Sequence, residues 1–193
     1  DTLRGGAADD ILQGGSGIDV GRYAGPVGEY YLENMSQGWV VRDLGGTEGR
    51  DVAYDVERLL FDDGYLALDL DGAAGTTAKF LGAVFGPASV YNEAYVGIGL
   101  TLLDSGMQPP ALMQLALNAR LGVGASPTAV VNLLYENLFG TLPDAATRQG
   151  YVDLITAGAY TNVSLALAAA ETEWNLLNID FTGLAEQGLG YVT

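Results

Sequence analysis

The sequence predicts an α+β protein, and three of its features support that prediction. Residues 1–22 repeat with a period of nine, residues 20–70 contain short β-prone runs, and the rest of the chain has helical patterning. We therefore expect a short parallel β structure with a β extension over residues 1–72 and an all-α helical bundle over residues 73–193. The 193 residues, 49% of them hydrophobic, suffice for one large core or two small ones.

Glycine and aspartate recur every nine residues at the start of the chain. Two consecutive nonapeptides, residues 5–13 and 14–22, follow the end of a third, and Asp1, Asp10 and Asp19 fall in one register. The repeat G-G-x-G-x-D-x-U-x is typical of a parallel β-helix that binds calcium. The start of the chain is therefore predicted to be the end of such a repeat array.

Short runs rich in Tyr, Val, Trp and Leu predict strands between the repeats and the helices. The predicted strands lie at residues 20–23, 29–33, 38–42, 58–61 and 65–68. The last two bracket Asp62-Asp63-Gly64, where glycine supplies the positive φ of a hairpin turn. This part is predicted to be a small β extension of the repeats.

Capping residues predict the helices. Pro109-Pro110 and Ser126-Pro127 mark helix starts, because proline loses no hydrogen bond in the first turn and serine can cap the free N–H groups. Asp144 and Thr161 are predicted to cap two more. We expect five to seven short helices, ending near Gln187.

The helical part contains signs of a duplication. Phe85-Gly86 matches Phe139-Gly140 at an offset of 54 residues. The matches at an offset of 52 are Leu103, Gly106, Leu115 and Ala116 with Ile155, Gly158, Leu167 and Ala168. A duplication would give two similar helical hairpins, although matches of small and apolar residues also arise by chance in a sequence rich in Ala and Leu.

The amino-acid composition limits the kinds of functional site that the chain can form. The chain has no Cys and no His, which excludes thiolate metal sites, cysteine nucleophiles and a Ser-His-Asp triad. With 24 acidic and 8 basic residues the net charge is -16, which disfavours binding to nucleic acid or to an anionic membrane. Oxygen ligands for a hard cation remain, so we expect calcium as the cofactor and no enzymatic activity. No segment is apolar enough for membrane insertion.

The nonapeptides resemble those of the repeats-in-toxin family, bacterial proteins secreted by type I systems and folded by calcium outside the cell. Residues 56–64 and 67–72 resemble the strand pair that often follows such repeats. Residues 132–140, with Pro143-Asp144 and Gly158, resemble a helical domain of unassigned function common in these proteins. The resemblance implies a short calcium-binding parallel β-roll remnant with a β extension, then the helical bundle, in a secreted and surface-associated protein.

Three positions depart from these patterns. Ala8 stands where the repeat has glycine, and Gly21 stands where it has an apolar residue. Thr141 stands where the helical domain often has an arginine, so any role of that arginine is not expected here.

The resemblance also implies the calcium ligands. In a β-roll the first six residues of each repeat form a turn and the last three a strand, and calcium lies between stacked turns, where carbonyls point inward and Asp adds charge. The implied ligands are Asp1, Gly5, Ala7, Asp10, Gly14, Ser16 and Asp19. Because turns eighteen residues apart stack, Asp19 should face Asp1, whereas Asp10 should lack a repeat partner. The alternative is a set of solvated Gly-Asp turns without metal.

Two other groups of residues have competing interpretations. Asp69-Leu70-Asp71-Gly72 resembles the start of an EF-hand loop, but Phe80 stands where the final Glu is needed, so a turn with helix-capping carboxylates is favoured. The aromatic residues are predicted to pack in the sheet or the bundle core, with a carbohydrate-binding face as the alternative for the first group. The groups are Tyr30, Tyr31, Trp39 and Tyr54 in the β part, and Tyr135, Phe139, Tyr151 and Trp174 in the helical part.

The function predicted from these observations is a calcium-binding, calcium-folded C-terminal module of a type I secreted extracellular or cell-surface protein, supporting secretion, folding or surface attachment. Its expected partners are calcium ions and the type I secretion machinery. The alternatives are a surface-lattice or adhesin module, whose bundle contacts like chains or cell-surface polysaccharide, and the non-catalytic tail of a secreted hydrolase.

Overall fold

The computed structural model describes residues 1–193 and confirms the α+β class, with nine strands and eight α-helices. The strands are β1 (Thr2–Leu3), β2 (Ile11–Gln13), β3 (Val20–Arg22), β4 (Tyr30–Met35), β5 (Gly38–Asp43), β6 (Arg50–Tyr54), β7 (Arg58–Phe61), β8 (Gly64–Ala67) and β9 (Leu189–Tyr191). The helices are α1 (Ala73–Phe85), α2 (Glu93–Asp104), α3 (Pro109–Leu121), α4 (Pro127–Phe139), α5 (Ala145–Thr156), α6 (Asn162–Ala170), α7 (Glu173–Asn178) and α8 (Phe181–Gln187), with 3-10 turns at Val27–Glu29 and Pro87–Tyr91.

At its start the chain alternates between two sheets. In the first sheet β1, β3 and β7 are parallel, and in the second β2 is parallel to β6. The strands expected at the end of each nonapeptide, residues 11–13 and 20–22, are confirmed. Antiparallel strands widen both sheets, β8 and β9 in the first and β5 and β4 in the second. The first core lies between the sheets, where Leu12 of one packs with Leu59 of the other.

Strand β6 was not predicted, and it completes the roll. After β3 the chain makes the β4–β5 hairpin and then returns as β6 and β7, which lie beside β2 and β3. Ile11 pairs with Val52, and Val20 pairs with Arg58. A segment without the nonapeptide pattern therefore takes the place of the next turn of the roll.

The part after residue 72 contains more than the helices predicted for it. There are eight helices rather than five to seven, because the last stretch divides into the short α7 and α8. In addition, β9 pairs with β8, where Leu66 lies opposite Gly190. The segment around Gly190 has no strand pattern of its own and extends because β8 offers an unpaired edge. None of the helices has the length and hydrophobicity needed to span a membrane.

The structure repeats over α1–α3 and α4–α6. Asn92 caps α2 by accepting a hydrogen bond from the third residue beyond it, and Asp144 caps α5 in the same way, 52 residues later. Gly106 and Gly158, also 52 apart, end these helices with φ values of 95° and 80°. The equivalent positions have the same caps and the same left-handed turns, which supports the duplication over chance.

The third helix of each half aligns at an offset different from the predicted one. The residue that precedes α3 is Gln108 and the residue that precedes α6 is Thr161, which gives an offset of 53 rather than 52. Leu115 therefore corresponds to Ala168 and not to Leu167. The extra residue lies in the connection before the helix, where an insertion changes no packing position.

Arg58 connects the roll to the helices. It is 2% exposed, its guanidinium pairs with Asp69, and it lies 3.0 Å from an Asp104 carboxylate oxygen at the end of α2. Burial alone would lower the pKa of Arg58, but the two carboxylates raise it above its usual value. The other oxygen of Asp69 accepts a hydrogen bond of 2.9 Å from the backbone N–H of Ala73 in α1, as the capping interpretation predicted.

Candidate metal centre

The first candidate centre lies where the turn of residues 4–10 meets β6. The backbone N–H of Asp10 donates to Asp51 Oδ1 at 3.0 Å, and the carbonyl of Asp10 accepts from Val52 N at 2.9 Å. Asp51 thus occupies the position that the next repeat aspartate would have. No repeat aspartate of this chain faces Asp10; β6, which lacks the nonapeptide pattern, supplies Asp51 in that place 41 residues later.

Two carboxylate oxygens in this centre have no hydrogen-bond partner. Asp51 is 1% exposed, and both its Oδ2 and the Oδ2 of Asp10 are buried without a donor. They converge in front of Gly5, where a Cβ atom would lie 2.8 Å from Asp51 Oδ2 and 3.0 Å from Asp10 Oδ2. Glycine is therefore needed at position 5, since any side chain there would fill the space between the two carboxylates.

The electrostatics of this centre favour a cation. Burial raises the pKa of Asp51 above its usual value, and the charges of Asp10 and Glu48 raise it further, whereas interactions with the backbone N–H of Asp10 and with the Tyr23 hydroxyl lower it. Burial, with the nearby charge of Asp51, also raises the pKa of Tyr23 beyond its ordinary range. The ion pairs of the protein include no Lys or Arg bonded to Asp10 or Asp51.

A second candidate centre lies at the turn of residues 14–19. The backbone N–H of Asp19 donates to Glu57 Oε2 at 2.9 Å, so Glu57 faces Asp19 as Asp51 faces Asp10. Asp19 is 1% exposed, and its Oδ2 has no partner. A Cβ atom at Gly14 would lie only 1.8 Å from the carbonyl oxygen of Asp55, so this turn stacks directly on the next.

The other predicted ligands occupy the rims of these turns. Asp1 faces Asp19 as expected, with its backbone nitrogen 2.6 Å from Asp19 Oδ1 and its carbonyl oxygen accepting a hydrogen bond from Val20 N. Ala7 and Ser16 are exposed on their turns.

The structure brings Gly5 together with Asp10, and Gly14 together with Asp19, but the repeat pattern did not indicate the acidic partners. One signal could have found Asp51 and Glu57. Glu57 directly precedes β7, as Asp10 precedes β2 and Asp19 precedes β3, and Asp51 is the second residue of β6, directly before the β-prone residues 52–54.

The donor set fits a hard cation with many backbone ligands. No group of three or more Asp, Glu, His or Cys side chains converges tightly enough to hold a metal by itself. Calcium takes six to eight oxygens and accepts backbone carbonyls among them. The unpartnered oxygens of Asp10 and Asp51 would supply the charge, and the carbonyls of the Gly-rich turn, with water, would supply the remaining ligands.

The burial of the aromatic side chains matches the prediction only in part. Tyr30 and Trp39 are buried at 8% and 6% exposure, as expected for sheet packing. Phe139, Tyr151 and Trp174 are 43%, 41% and 58% exposed, so their prediction as bundle core is wrong. They line an open groove of the helical part instead.

Comparison with known proteins finds little similarity in sequence or structure. The chain matches no protein-family model, and no curated protein matches it. Among solved structures, the extracellular lipase LipA from Serratia marcescens is similar at 16% identity and a TM-score of 0.28, over 32% of this chain and 12% of the lipase chain. The match therefore covers a minor part of both chains, and a likeness of this extent says nothing about activity or substrate.

Proposed function

We propose that this chain is a calcium-binding module that calcium folds and that belongs to a secreted, extracellular or cell-surface protein, without catalysis of its own. The observation that supports this most is a pair of buried carboxylate oxygens, Oδ2 of Asp10 and Oδ2 of Asp51, which face one space in front of Gly5. A buried anionic oxygen is costly unless it is paired, and a cation between the two oxygens would compensate both.

The chemistry of the chain selects calcium among cations. All available side-chain ligands are oxygens, since the sequence has no His and no Cys. Magnesium demands a near-octahedral shell and keeps its water, whereas calcium accepts the irregular shell that two carboxylates and several carbonyls provide. Four of the six buried polar side-chain atoms without a partner belong to Asp10, Asp19, Tyr23 and Asp51 of the roll, which is where calcium would act.

The proposal explains how such a chain would remain unfolded until export. At low calcium the carboxylates of the stacked turns repel one another, and the net charge of -16 opposes compaction. At ~1 mM calcium and a dissociation constant near ~0.1 mM, one site would stabilise the folded state by about 1.4 kcal/mol, and coupled sites by more. Secretion by a type I system is the route that the resemblance of the nonapeptides supports.

Thermal unfolding of chelator-stripped protein tests the proposal. Calcium should raise the melting temperature in a saturable manner, and magnesium at the same concentration should not. The variants Asp10→Asn and Asp51→Asn should each lose most of this response. Asp71→Asn, the same chemical change at an exposed carboxylate outside the stacked turns, should retain it. An equal response from Asp10→Asn and Asp71→Asn would place the calcium elsewhere and overturn the proposal.

A further inference from the structure

The duplicated helical hairpins each carry an open apolar groove. The first groove lies between α1, α2 and α3, and the second between α4, α5 and α6. Four lining positions of α1 recur in α4 at an offset of 54, Phe85 and Phe139 among them. Three lining positions of α3 recur in α6 at an offset of 53, Leu112 and Leu165 among them, and a fourth, Ala119, corresponds to Thr172 just after α6. The two grooves are therefore equivalent features of the two halves, and their differences can be compared position by position.

The second groove is lined by more aromatic rings than the first groove. Its cavity volume is about 380 Å³, against about 230 Å³ for the first groove. Tyr135 stands where the first half has Leu81, and Tyr151 stands where it has Gly99. The five aromatic residues that line the second groove are Tyr135, Phe139, Tyr151, Tyr160 and Trp174. The ring of Phe139 lies 4.5 Å from that of Tyr135 and 5.8 Å from that of Trp174, centroid to centroid, so these three rings form one continuous wall.

This wall is exposed and carries no positive charge. Trp174 is 58% exposed, although a large ring of this kind is normally covered. No Lys or Arg lines the groove, and the net charge of the chain is -16. A ligand in the groove therefore meets aromatic faces and no fixed positive charge.

We propose that the second groove binds an organic cation that carries a quaternary ammonium group. Such a group is attracted electrostatically to aromatic faces and is the usual ligand of aromatic cages. Apart from the hydroxyls of Tyr135, Tyr151, Tyr160 and Thr172 the lining is apolar, and it contains no carboxylate that could pair with a primary ammonium, so it favours a cation that needs no hydrogen-bond acceptor. Anions are disfavoured because no Lys or Arg lines the groove and the net charge of the chain is -16.

Separate titrations of the protein with choline and with its neutral carbon isostere, 3,3-dimethylbutan-1-ol, test whether binding requires the positive charge of the ligand. The full chain is held at a constant, saturating calcium concentration, so the outcome does not depend on the calcium proposal. Ligand-observed NMR of the methyl signal should show saturable binding of choline and at least fivefold weaker binding of the isostere. Choline should also change the fluorescence of Trp174, and Trp174→Phe should lose that change, because the other tryptophan, Trp39, is buried in the roll at 6% exposure.

Matched variants in the two grooves test whether choline binds in the second groove. Trp174→Ala and Tyr151→Ala should weaken choline binding by roughly 2- to 5-fold each, as expected for removal of one ring from a cation at an exposed site. Tyr95→Ala, at an equally exposed ring in the first groove, should leave the affinity unchanged. Circular dichroism would verify that all variants are folded. Absence of saturable choline binding, equal affinity for the isostere, or an equal loss in Tyr95→Ala would each overturn the proposal.

Discussion

Replacement of Arg58 by methionine should destabilise the whole protein, because this side chain neutralises two carboxylates at the junction of roll and helices. Arg58 is 2% exposed, Asp69 is 12% exposed and Asp104 is 27% exposed. Methionine is similar in length and fills much of the same space, so the change removes charge more than volume.

The expected magnitude follows from the charge that remains. Removing one partner of a buried ion pair costs about 3–5 kcal/mol, mainly because the other charge is left without compensation. Asp69 stays buried after the change, whereas water can reach Asp104, so the loss should lie near the lower end, about 3 kcal/mol. With a urea m-value of about 2 kcal/mol/M, the midpoint of unfolding would fall by about 1.5 M.

Urea unfolding at neutral pH and saturating calcium measures this loss. The double variant Arg58→Met/Asp69→Asn should recover at least ~1 kcal/mol, because the only carboxylate left without Arg58 is Asp104, which water can reach, and the amide oxygen at position 69 can still cap α1. Arg22→Met serves as the control, since Arg22 is exposed and should change stability by no more than ~0.5 kcal/mol. A loss below ~1 kcal/mol for Arg58→Met, or a double variant no more stable than the single one, would refute the reasoning.

Three further predictions concern the turns. Gly14→Ala places a Cβ atom 1.8 Å from the Asp55 carbonyl oxygen, so it should cost at least ~1–3 kcal/mol in urea unfolding and weaken calcium binding in calorimetry. Ala8 has φ of 87° where the repeat has glycine, so Ala8→Gly should stabilise the protein by about 1 kcal/mol in the same unfolding assay. Loop hydrogen bonds, first of all from the backbone N–H of Glu48, hold the pKa of Asp43 well below its usual range. The stability from Asp43 should be complete above its usual pKa of about 4 and decline as pH falls toward the lowered value. The difference in urea midpoint between the native chain and Asp43→Asn should therefore shrink in acid, and a constant difference would contradict this assignment.

Local signals made the repeats and the helix starts predictable. A period of nine with glycine at fixed places determines where the turns and strands of the roll lie, and both repeat strands were found at the predicted residues. Ser126, Asp144 and Thr161 each cap the helix that follows, because a helix start depends on a side chain and a backbone N–H only a few residues apart.

Long-range partners were not predictable by the same means. Asp51 stands 41 residues after Asp10 because a hairpin is inserted between them, and this distance is no multiple of nine. Hydrophobic spacing also cannot distinguish a residue in the core from one that lines an open groove, because both lie on the apolar side of a helix. Trp174 was for this reason assigned to the core although it is the most exposed ring of the second groove.

Calorimetric titration of calcium into the chelator-stripped chain, with circular dichroism followed in parallel, tests the central claim most directly. We predict saturable binding of at least one calcium ion together with a gain in structure, and loss of one binding event in the Asp10→Asn/Asp51→Asn variant. The absence of binding up to several millimolar calcium, or unchanged stoichiometry in that variant, would contradict the claim that these stacked turns form a calcium site.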